Sequence, residues 1–86
     1  MVATHVRIAP LDAAQALEPT VVRDLVYAGA AAADGIEHVR VRARPSCLDI
    51  LAFVDSNDPQ VAADVLRRLT AEVIGRTELL RLWRVI

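Results

Sequence analysis

Residues 47–75, CLDILAFVDSNDPQVAADVLRRLTAEVIG, hold a strand, a turn with a helix start and an amphipathic helix in immediate succession. Leu48, Ile50, Ala52 and Val54 fall on one side of an extended chain, and Cys47, Asp49, Leu51 and Phe53 on the other. Apolar residues on both sides predict an interior strand rather than an edge. Asp58-Pro59 supplies an N-cap followed by proline at the first helical position, where a missing N–H costs nothing. Ala62, Val65, Leu66, Leu69 and Val73 recur at spacings of three and four and form one apolar stripe. Asp64, Arg67, Arg68 and Glu72 take the other face, with Asp64 and Arg68 in the favourable acid-first i,i+4 order. Gly75 is expected to end the helix in a left-handed conformation.

The rest of the chain extends this unit. Thr4 to Leu11 reads as a strand with Val6 and Ile8 on one side and His5 and Arg7 on the other, stopped near Pro10. Asp12 to Glu18 suits a short helical turn that Pro19 keeps separate from the next helix. That longer helix is expected from Thr20 to about Ala33, with Val22, Leu25, Val26, Gly29 and Ala33 inward. Gly29 weakens helix propensity, which suggests a close backbone approach at that point.

Ile36 to Arg44 alternates cleanly, with Val39, Val41 and Ala43 on one side and His38, Arg40, Arg42 and Arg44 on the other. A two-residue loop at Pro45-Ser46 pairs Arg44 with Cys47, Arg42 with Asp49, Arg40 with Leu51 and His38 with Phe53. That register puts the apolar sides of both strands together, so turn length and hydrophobic pattern agree. Glu78 to Ile86 reads as a last strand, with Leu80 and Leu82 inward and Arg81, Trp83 and Val85 outward.

The order strand, helix, strand, strand, helix, strand predicts an α+β fold. Right-handed crossovers give an antiparallel four-stranded sheet in the order 4-1-3-2 with both helices on one face. In element order this resembles the ferredoxin-like superfold over nearly the whole chain. The resemblance carries no signature residue, and a superfold hosts unrelated functions. The soft-metal carriers of that superfold place paired cysteines after the first strand; here Pro10-Leu11-Asp12 stands there. Its acylphosphatases use a glycine-rich phosphate loop, and no glycine precedes Gly29. Its RNA-recognition members carry aromatics on the two central strands, where this chain offers Phe53 beside His5 and Arg7.

Composition narrows the classes further. Eighty-six residues suffice for one domain, residues 1–86. A hydrophobic content of 55% with a formal net charge of −1 marks a globular chain rather than a disordered one. No apolar run reaches the roughly 18–20 residues of a membrane span, and the first residues lack a basic-then-apolar leader. One cysteine builds no disulfide framework. A soluble, cytoplasmic protein is the expectation. All ten basic residues are arginine, which codon bias in a GC-rich bacterial genome accounts for more simply than selection for bidentate contacts. The near-neutral balance argues against a general nucleic-acid binder.

Sites for chemistry are few. His5 and His38 lie two strand spacings apart, about 9–10 Å, too far to share a metal unaided. Cys47 beside Arg44 has no partner base and reads as a structural thiol. Asp55, Ser56, Asn57 and Asp58 are accounted for by a turn and a helix cap, and lack the glycine and terminal glutamate of a calcium loop. No catalytic residue, metal site or cofactor is assigned.

What remains is the open face of the sheet: Arg7, Arg40, Arg42, Leu51, Phe53 and Trp83, with Asp49 expected to pair Arg42. Apolar residues rimmed by arginines suit a protein interface. The last strand, with Arg81, Trp83 and Val85 outward and no proline or lysine, reads as a poorly protected edge. The expected function is a non-enzymatic interaction or regulatory module acting through homodimerisation or a protein partner. A dimeric barrel enzyme or small-ligand binder, with a pocket between sheet and helices and His5 or His38 as acid–base, is one alternative. Single-stranded nucleic-acid binding is the other.

Overall fold

The computed structural model describes residues 1–12 and 17–86. The sheet contains β1 (Val2–Pro10), β2 (Ile36–Ala43), β3 (Leu48–Val54) and β4 (Trp83–Val85), and the helices are α1 (Pro19–Gly29) and α2 (Pro59–Arg76). All strand pairs are antiparallel, in the order β2-β3-β1-β4, so the central strands are β3 and β1. The turn expected between Asp12 and Glu18 falls largely outside the described residues.

Alternation decides which face is buried. Val6 and Ile8 of β1, Val39 of β2, and Leu48, Ile50, Ala52 and Val54 of β3 are all buried. All of these except Val54 belong to one core cluster with Val22 and Val26 of α1 and Leu66, Leu69 and Val73 of α2. Both helices therefore cover the same side of the sheet, and the other side is left open. The expected hairpin register holds at every position: His38 opposes Phe53, Arg40 opposes Leu51, Arg42 opposes Asp49. Arg44 N–H donates to the Cys47 carbonyl at 2.8 Å, closing the loop. A bulge falls between Ile36 and His38.

The start of α2 follows the sequence signal: Asp58 accepts from the Gln60 N–H at 2.9 Å, with Pro59 in the first turn. Its end does not. The helix runs through Gly75 to Arg76, and Thr77 terminates it in extended geometry. A β-carbon on Gly75 would meet nothing within 4 Å, so neither packing nor backbone requires glycine there. Arg68 also chooses partners other than Asp64. It bonds Asp34 at 2.6 Å and Glu72 at 3.1 Å, while Gln60 takes Asp64.

Helix α1 starts at Pro19, with Glu18 rather than Thr20 at the N-cap, and stops at Gly29 rather than Ala33. Beyond it Ala30 is extended, and residues 32–34 make a separate 3-10 turn. The Asp34 carboxylate accepts from the Ala31 N–H at 2.8 Å and is gripped from α2 by Arg68, which restarts the chain in a new direction. Gly35 comes next at φ 67°, the left-handed conformation glycine adopts without a β-carbon penalty. Gly29 does mark a close approach: a β-carbon there would lie 2.8 Å from Val73 Cγ2 on α2.

The last segment departs most from expectation. Residues 78–80 form a 3-10 turn, and only Trp83–Val85 pair with β1. Val85 stands opposite Ile8 and Trp83 opposite Pro10. Those β1 positions share the parity of Val6 and Ile8, so Trp83 and Val85 face the helices and Arg84 faces outward. Trp83 is buried in the core and Val85 packs against it. The apolar pair Leu80 and Trp83, three residues apart across the turn, is what an unbroken strand reading conceals.

Candidate interaction face

The open face is built from the odd-numbered positions of β1 and β3 and the even-numbered positions of β2. Of the residues assigned to a partner from sequence, Arg40, Arg42, Leu51 and Phe53 come together on it. Arg81, Trp83 and Val85 do not. Arg81 sits on the turn before β4 and pairs locally with Glu78 at 3.4 Å, Trp83 is in the core, and Val85 is half-buried against it.

Leu51 and Phe53 are neighbours on β3 with 39% and 44% of their surfaces exposed, well above what central-strand residues show when covered. The Phe53 ring meets His38 edge to face, with centroids 6.1 Å apart and planes at 85°. Around them stand Arg7, Arg40, Arg42, Arg44 and, from β4, Arg84. Within the paired register the one acidic side chain on this face is Asp49.

Asp49 is already matched. Arg7 Nε lies 2.7 Å from Oδ1 and Arg44 Nε 2.7 Å from Oδ2. Arg42, directly opposite in the register, is not its partner, contrary to the expected pairing. Arg7 approaches from the strand on the other side and Arg44 from two residues along, and together they occupy both oxygens. The Arg44 hydrogen bond, opposed by desolvation and reinforced by Arg7, holds the Asp49 carboxyl below its usual range, and Asp49 in turn raises Arg44. Among the described residues, Arg40, Arg42 and Arg84 have no carboxylate partner. At the paired positions of this face Arg7, Arg40, Arg42 and Arg84 thus stand against the one carboxylate of Asp49, with Arg44 beside it, in a chain whose formal charge is −1.

The edges also differ from the expected picture. β4 has three residues and presents little backbone, and a very short edge strand is itself a form of protection. The long edge belongs to β2. Because Arg44 bonds Cys47, ladder parity turns the backbone groups of Arg42 and Arg40 toward β3 and those of Ala43, Val41 and Val39 outward. The Tyr27 hydroxyl of α1, 2.8 Å from the Val39 nitrogen, accepts one of these outward N–H groups. Nothing in the sequence pattern singles out Tyr27, since it lies beside the apolar stripe of α1. An open trough runs along this edge, with Thr20, Arg23 and Tyr27 on one side of β2 and His38, Arg40 and Phe53 on the other.

Helices and sheet close on each other through packed apolar side chains, and the trough described here lies at the β2 edge. Among the described residues no group of three His, Cys, Asp or Glu side chains is placed to hold a metal, and no helix is long and apolar enough to cross a membrane. Comparison with protein-family models, curated proteins and solved structures gives no match to this chain.

Proposed function

We propose that this protein is a binding module that captures an acidic polypeptide on the open face of its sheet. The observation that carries this reading is the exposed pair Leu51 and Phe53 bordered by the unpaired guanidiniums of Arg40 and Arg42. Apolar anchors with an arginine rim supply desolvation at the centre and charge selection at the border. Homodimerisation through the same face sets guanidiniums against guanidiniums, so a different, acidic partner fits better. A cytoplasmic location and the ferredoxin-like superfold belong to the same reading, the latter supported by the strand order.

Capture of a glutamate-rich peptide tests it. The expected result is binding that the double change Arg40→Glu and Arg42→Glu abolishes and Phe53→Ser weakens. Capture indifferent to both would overturn the reading. The segregated arginines around Phe53 also favour a second reading, single-stranded nucleic acid, with base stacking on the ring. A single-stranded oligonucleotide competing in the same assay separates the two.

A further inference from the structure

We infer that the acidic partner binds as an extended strand added antiparallel to the β2 edge, its acidic residues opposite Arg40 and Arg42 and its apolar residues beside Val41. This rests on the reading of an acidic polypeptide partner and states how it docks. Three features meet at this edge.

The first is the backbone. Val41 and Ala43 turn their N–H and C=O groups away from β3, as does the Val39 carbonyl, while Tyr27 already occupies the Val39 N–H. A strand laid about 4.8 Å away pairs with such a row, and Tyr27 marks where the pairing must stop. The second is shape. The trough runs along both sides of β2, so side chains of an added strand find a wall in either direction. On the helix side Tyr27, Thr20, Arg23 and its ion-pair partner Asp24 line the trough beside the half-buried Val41. On the open side an added carboxylate reaches Arg40 or Arg42.

The third is charge, which selects the occupant. In every two-fold antiparallel register that pairs Val41 with Val39, Val41 or Ala43 of a second copy, arginine stands opposite arginine: Arg40 on Arg40, Arg40 on Arg42, or Arg42 on Arg42. Like charges directly opposite destabilise a ladder. The same positions opposite glutamate or aspartate form cross-strand ion pairs. The β2 edge is thereby closed to itself and open to an acidic strand.

Parity makes the test sharp. Residues of the added strand that bond β2 are those whose side chains share the side of Val41, hence the apolar ones. The probe is a fluorescent nine-residue peptide alternating valine and glutamate, titrated against the full chain by anisotropy. N-methylation of its valines should weaken binding about tenfold or more, because it removes bonds to β2. N-methylation of its glutamates should leave binding within about twofold, because those N–H groups point away. Val41→Pro removes one outward N–H without touching the β2–β3 ladder and should weaken the unmodified peptide similarly.

Equal binding of both methylated peptides, still lost in the Arg40→Glu, Arg42→Glu double variant, would overturn strand addition and leave the acidic-partner reading standing. Failure of every peptide, whether or not a single-stranded oligonucleotide binds, would overturn both. A stable dimer in light scattering that Val41→Pro converts to monomer would assign the edge to a second copy and overturn the inference.

Discussion

Arg7 and Asp49 face each other across the two central strands, with Arg7 Nε 2.7 Å from Asp49 Oδ1, and the carboxylate is almost enclosed at 8% side-chain exposure. Arg44 takes the second oxygen. A carboxylate held this way titrates below its unfolded value, so the unfolded chain binds more protons in the interval between the two. Stability therefore increases with pH through that interval, is fully present above the ordinary value of 3.8, and is lost as pH falls below it. Asp34, held down first by the Ala31 N–H and then by Arg68, contributes with the same sign. Urea midpoints measured from about pH 6 down to about pH 2 should fall most steeply in the acid limb. Asp49→Asn should flatten that limb. An unchanged profile would mean the pair is not formed in solution.

Gly29→Ala should destabilise the protein, although alanine is the better helix former by about 1 kcal/mol. The added β-carbon lies 2.8 Å from Val73 Cγ2, a branched and stiff side chain. Overpacking of this kind costs about 1–3 kcal/mol. Adding Val73→Ala makes room, so the double variant should be more stable than the sum of the single losses predicts. Strict additivity would refute the contact.

Trp83 is buried, yet its indole Nε1 finds no acceptor among the described residues. Trp83→Ala should cost about 3–5 kcal/mol. Trp83→Phe should cost distinctly less, because it also removes the unpartnered donor. As the one tryptophan in the chain, it reports directly: its emission should shift to the red on unfolding. Emission already at the position of the denatured chain would contradict the burial.

Asp58→Ala should cost about 0.5–2 kcal/mol by removing the acceptor of the Gln60 N–H, with Asp58→Asn close to neutral. Phe53→Ser, on the exposed face, should change stability by less than about 0.5 kcal/mol. Denaturant midpoints of the three variants distinguish a capping role from a packing one.

The hairpin is legible in the sequence because two independent signals agree on it: the period-two alternation of Val39, Val41 and Ala43 and the length of the Pro45-Ser46 loop. The same holds for the start of α2, where Asp58 and Pro59 act locally. Errors arise where a distant residue decides. Helix α1 ends early because Asp34 is held from α2 by Arg68, a contact 34 positions away in the chain. The face of β4 is misread from sequence because its orientation is set by pairing with Ile8 and Pro10, and because Glu78 to Leu80 turns helically first. That one misreading moves Trp83 and Val85 from the helix side to the surface and aligns them with Arg81, which is exposed on the preceding turn.

On the candidate face, Arg40, Arg42, Leu51 and Phe53 emerge from alternation alone. The partners of Asp49 do not, since three arginines lie within reach and only packing chooses among them. Tyr27 is invisible for a related reason: its role is to bond a backbone N–H of another element, and no periodicity announces that.

The gathering of arginines on one side has a consequence for motion before any contact. A chain with almost no net charge ordinarily diffuses without regard to the fields around it. This one separates its charge, with arginines gathered against Asp49 on the sheet face and carboxylates that have no ion pair among the described residues, Glu18, Asp55 and Asp58 among them, on the segments between elements. Near an anionic body it turns sheet-first, so encounters are pre-oriented and should slow as added salt screens the field. Retention on a cation exchanger near neutral pH, despite a sequence isoelectric point of about 6.0, is the everyday sign of such a molecule: it answers to the charge it turns forward, not to the charge it sums to.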